Sequence, residues 1–75
     1  MKITYDSEVD ALYIRFLEGS FEVTTQRLSE EVAVNYAPDG RIVGIEVLDA
    51  SAYAFGPSAD PVVFLQHLAG VSQQP

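Results

Sequence analysis

Three carboxylates alternate near the start of the chain: Asp6, Glu8 and Asp10. A calcium loop begins this way, but its sixth position needs glycine and its twelfth a bidentate glutamate. Here those positions hold Ala11 and Leu17. The three acids therefore read as turn formers whose carboxylates accept local backbone N–H groups. Arg15, Glu46 and Arg41 form a second constellation. If Arg15 and Glu46 lie on neighbouring strands, they pair as a cross-strand ion pair or as a small polar cluster that orients a ligand. His67 is the single histidine. With no cysteine and no second imidazole, a transition-metal site would need carboxylates alone as co-ligands, and a catalytic histidine would need an oriented partner that the sequence does not supply. Gly40 and Gly44 do not form a phosphate cradle; Gly44, placed inside a strand, points to a bulge or to close approach of an aromatic ring. No Walker, dinucleotide-binding or nucleophile-elbow string occurs, so no cofactor, no metal and no catalytic residue is expected.

Composition narrows the choice further. The 75 residues hold 4 basic and 11 acidic side chains, a net charge of −7, which argues against binding nucleic acid through a basic surface. The absence of cysteine excludes disulfide scaffolds and thiolate metal sites. At 48% apolar, the chain is too hydrophobic for an acidic disordered segment. It is also small, and small cores often gain stability by self-association, so a homodimer is expected. No apolar run has the length of a signal peptide or of a membrane span, and the expected location is the cytoplasm.

The elements that must position these residues are mostly strands. Ile3 and Tyr5 alternate with polar neighbours; Ala11 to Leu17 and Phe21 to Thr25 alternate again; Glu31–Tyr36 and Arg41–Leu48 flank Ala37-Pro38-Asp39-Gly40. Proline presets the second turn position and glycine accepts the left-handed residue that closes a bulged hairpin. Alternation places Leu12, Ile14, Phe16, Val32, Val34, Val43, Ile45 and Val47 on one face. Tyr13, Leu17, Ala33, Ile42 and Leu48 fall on the other, among Arg15, Asn35 and Glu46. One face is expected to take the C-terminal segment and the other a second protomer. After Leu48, Asp49 is read as the cap of a short helical turn ended by Gly56-Pro57. Asp60 and Pro61 open a second helix carrying Phe64, Leu65 and Leu68 on one stripe up to Gly70. The chain is thus one α+β domain over 1–75. Residues 1–48 form an antiparallel meander of four to five strands, 49–70 a helical segment of one or two helices packed on one face, and 71–75 a tail.

Two strings carry a resemblance. Lys2-Ile3-Thr4-Tyr5-Asp6-Ser7-Glu8-Val9-Asp10-Ala11-Leu12-Tyr13-Ile14 resembles the opening of the domain-of-unknown-function family 2283, with Ser7 where proline is common. Asp39-Gly40-Arg41-Ile42-Val43-Gly44-Ile45-Glu46-Val47-Leu48-Asp49-Ala50-Ser51 resembles its second signature. The resemblance covers most of residues 1–51. It implies a small, mostly β module with a C-terminal helix. Some members look like the smaller half of two-gene pairs similar to toxin–antitoxin systems, which implies a protein partner. The matched residues read mainly as fold determinants.

Two functions follow as expectations. The first is a non-enzymatic protein–protein interaction module that binds itself or a small basic protein, with Tyr13, Leu17, Ile42, Tyr53, Phe55, Val62 and Val63 at the contact. The second is a small-molecule or cation-binding protein, conceivably an enzyme, whose site at a subunit interface uses Asp6, Glu8, Asp10, Arg15 and Glu46.

Overall fold

The computed structural model describes residues 1–56 and 61–69. Five strands form, β1 (Lys2–Asp6), β2 (Ala11–Arg15), β3 (Thr24–Arg27), β4 (Val32–Tyr36) and β5 (Ile42–Val47), followed by a single helical turn, α1 (Ala50–Tyr53). All neighbours are antiparallel, in the order β1-β2-β5-β4-β3. The fold is therefore an α+β meander broken once. Consecutive strands pair within β1–β2 and within β3–β4–β5, and residues 16–23 carry the chain from β2 to the far edge. Phe21 and Val23, read from their alternation as a strand, belong to this crossing; β3 starts only at Thr24.

The β4–β5 hairpin follows from its turn residues. The Ala37 carbonyl accepts the Gly40 amide at 2.9 Å, and Gly40 sits at φ 90°, where a Cβ would be strained. Asp39 accepts the Arg41 amide at 3.0 Å and its Nε at 2.7 Å. These bonds, the backbone one first, hold the Asp39 carboxyl below its ordinary range.

A bulge then changes the faces. Asn35 pairs with Gly44 but Tyr36 pairs with Ile42, leaving Val43 as the extra residue. Its carbonyl accepts the amides of both Phe16 (2.7 Å) and Leu17 (3.3 Å). Period-two alternation puts Val43 with Ile45 and Val47, but the bulge slips it to the opposite face, where it lines a cleft with Tyr13 and Asn35. Ile42 moves the other way, beside Tyr36. The first face thus gathers Ile3, Tyr5, Leu12, Ile14, Val34 and Ile45 in register. Phe55 packs on it, edge-on to Tyr5 at 4.9 Å between centroids. The second face carries the chain's own crossing segment over Tyr13, Arg15 and Asn35.

The helical segment departs from expectation in two ways. Asp49 precedes α1 at φ 51° and makes no side-chain cap bond. A capping carboxylate needs an extended backbone to reach the first-turn amides, and the left-handed conformation withholds it. The second helix does not form over 61–68, which have no regular structure; only Ala69 among the described residues there is helical. About ten residues cannot hold a helix unless its apolar stripe docks, and here Phe64 and Leu65 are 92% and 85% exposed. Of the expected Gly56-Pro57 stop, Gly56 is left-handed at φ 67°, while Pro57, the cap at Asp60, the Gly70 stop and the 71–75 tail lie outside the described residues.

Candidate functional site

The three N-terminal acids take separate tasks. Asp6 accepts the Glu8 amide at 3.0 Å and closes the β1–β2 turn. Glu8 is exposed. Asp10, left-handed at φ 55°, points back into the fold. Its Oδ1 accepts the Tyr5 hydroxyl at 2.7 Å and the Ser51 amide at 3.0 Å, and its Oδ2 accepts the Ser51 hydroxyl at 2.6 Å. Its carbonyl accepts the Ala50 amide at 3.0 Å. Asp10 thus caps α1 from a turn 41 positions earlier, which is the task expected of Asp49. The Ser51 bond first, then that of Tyr5, hold the Asp10 carboxyl below its ordinary range; the same Asp10 bond pushes the Tyr5 phenol up. No group of three or more acidic, histidine or cysteine side chains that could hold a metal ion occurs among the described residues.

The expected Arg15–Glu46 pair does not form. Register sets Arg15 opposite Gly44, and Glu46 opposite Tyr13 on one side and Ala33 on the other. Arg27 pairs with Ala33, and that small side chain lets it reach across β4 to Glu46 at 3.8 Å. Both groups are well exposed, so the pair contributes little. Arg41 turns to Asp39 at 2.7 Å instead. His67 is exposed.

The second face holds a cleft of about 310 Å³ between the sheet and the crossing segment. Tyr13, Arg15, Asn35 and Val43 form its floor, with Phe21 and Val23 above. Gly44 seats the Tyr13 ring: a Cβ there would stand 2.6 Å from Tyr13 Cζ and 2.7 Å from the Ile14 carbonyl oxygen. Asn35 Nδ2 donates to the Tyr13 hydroxyl at 3.1 Å, while Asn35 Oδ1 accepts from Thr25 at 2.6 Å. Arg15 Nη2 donates to the Gly19 carbonyl and so ties the crossing segment to β2. Sequence reasoning places Tyr13, Arg15 and Asn35 on one face but misses Phe21 and Val43 as their companions. The mid-strand glycine was the signal for the seated ring.

The exposed apolar surface lies elsewhere. Of the residues expected at a contact, Ile42, Tyr53, Val62 and Val63 are exposed, whereas Tyr13, Leu17 and Phe55 are half-buried within the chain's own fold. Phe64, Leu65 and Leu68 extend the exposed set. No helix among the described residues is long and apolar enough to cross a membrane.

Neither a curated protein nor a solved structure matches the chain. A family described as "Protein of unknown function (DUF2283)" matches residues 2–51, which run from the first residue of β1 to the serine held by Asp10. The match spans the whole sheet and the capped start of α1, and this chain belongs to that family.

Proposed function

We propose that this protein is a non-enzymatic interaction module that assembles with a second copy of itself through exposed apolar side chains. One observation carries the reading. Val62, Val63, Phe64 and Leu65 follow one another in the chain and are 69%, 62%, 92% and 85% exposed, and apolar patches of this kind mark contact surfaces. A cytoplasmic setting belongs to the same proposal, and fractionation of the native host checks it.

Light scattering over a concentration series tests the assembly. The expected result is a dimer that Phe64→Ser with Leu65→Ser converts to monomer while the sheet signal in circular dichroism stays unchanged. A clean 8.2 kDa monomer at high concentration overturns it. Salt separates this reading from capture of a small basic protein. Two protomers of charge −7 repel, so added salt tightens self-association, whereas salt weakens the pairing of an acidic module with a basic partner.

A further inference from the structure

We propose that the cleft on the second face binds a small carboxylate with an apolar body, held by the Arg15 guanidinium and the Tyr13 hydroxyl.

The three arginines are not alike. Arg27 meets Glu46 and Arg41 meets Asp39, but Arg15 has no carboxylate partner among the described residues, in a chain with 11 acids and 4 basic side chains. Arg15 is half-buried as a residue, while its guanidinium reaches the exposed mouth of the cleft beside Gly19. Its one bond, to the Gly19 carbonyl, fixes the guanidinium at the cleft wall and leaves the rest of its five N–H donors for another acceptor. A planar fork of this kind matches a carboxylate with two parallel bonds.

Tyr13 supplies the second donor. Its hydroxyl oxygen already accepts from Asn35 Nδ2, and Asn35 is held by Thr25, so the hydroxyl proton is directed away from the amide. That proton has no acceptor among the described residues. Tyr13 and Arg15 stand two residues apart on one face of β2, and the Tyr13 ring leans over Gly44, the residue opposite Arg15, so both side chains line the same cleft. The ring cannot drift because it lies on Gly44. Phe21, Val23 and Val43 supply apolar walls, and about 310 Å³ lies at the small end of the range for ligand pockets. A single cation in a protein of net charge −7 favours a monoanion over a dianion.

The test titrates the ¹⁵N-labelled full chain with sodium benzoate, following backbone amides and the arginine Nε–H signals. Parallel arms use benzyl alcohol (same body, no charge), acetate (charge, no body) and inorganic phosphate. Saturable shifts confined to Arg15, Gly19 and the Tyr13 surroundings are expected with benzoate, weaker ones with acetate and phosphate, and none there with benzyl alcohol. Arg15→Gln, which keeps a donor for Gly19, weakens benzoate about tenfold or more, and Tyr13→Phe about threefold or more. If Arg15→Gln loses amide dispersion, Arg15→Lys replaces it and gives an intermediate loss, because charge stays while the fork goes. Absence of saturation at these residues, equal affinity in the Arg15 variants, or tighter binding of phosphate than of benzoate overturns the proposal.

Discussion

Residues 2–51 and residues 61–69 are both rich in large apolar side chains, yet only the first group buries any of them, Val34, Val43 and Val47 foremost. On the first face of the sheet apolar residues meet their own kind across the strands: Leu12 faces Val47, which faces Val32, and Ile14 faces Ile45, which faces Val34. In 61–69 the spacing suits a helix, but no surface of the protomer receives it, and Phe64 is 92% exposed. The difference teaches that a hydrophobic stripe specifies an element only when something lies opposite. Period-two alternation carries its own partner, in the next strand; a lone helical stripe does not.

That contrast breaks first at Gly44. Gly44→Ala drives a Cβ into the Tyr13 ring and the Ile14 carbonyl, and is expected to cost about 3 kcal/mol in urea unfolding. Adding Tyr13→Ala restores part of the loss but not all, since the backbone contact remains. Asp10→Ala comes next. It removes the cap of α1 and three side-chain bonds, and lowers the thermal midpoint by about 5 °C or more. The pH profile sharpens the same point. The folded Asp10 carboxyl is depressed below its unfolded value of about 3.9, so its stabilisation is complete above that value and is lost as pH falls through the lower folded one. Tyr5 is the mirror case: raised above its unfolded value near 10, it stabilises below that pH and stops doing so as pH climbs through the folded value. Asp10→Asn should therefore flatten the acid limb of a midpoint-versus-pH curve. Arg27→Ala removes an exposed pair and is expected to shift stability by no more than about 0.5 kcal/mol. Phe64→Ser with Leu65→Ser should leave the monomer's own stability within about 0.5 kcal/mol of the parent, because the exposed side chains contribute no internal packing. A larger loss there would mean that 61–69 belongs to the core.

The strands and the β4–β5 turn were legible in the sequence because their signals are local: alternation for β4 and β5, and Pro38, Asp39 and Gly40 for the turn that joins them. The strand order was not, since nothing local says that the chain crosses from β2 to the far edge before returning. The same gap hid the cleft, whose upper wall is that crossing. Val43 and Ile42 exchanged faces because alternation counts residues and cannot see an inserted one. Adjacency points to Asp49 as the helix cap, yet the cap comes from Asp10, a long-range contact that only the folded backbone brings together. Arg15 and Glu46 missed each other through register alone.

The latch between Asp10 and Ser51 also bears on how the protein is made. A ribosome releases the β1–β2 hairpin early, but its partner strand β5 and the serine that its turn holds come last among the residues of the sheet. Until they emerge, the edge of β2 that will lie mid-sheet offers unpaired amides and carbonyls to any other nascent chain. Completion of the fold is consequently deferred until translation has passed Ser51, and a message truncated short of that codon would yield a sticky fragment instead of a shorter version of the same structure.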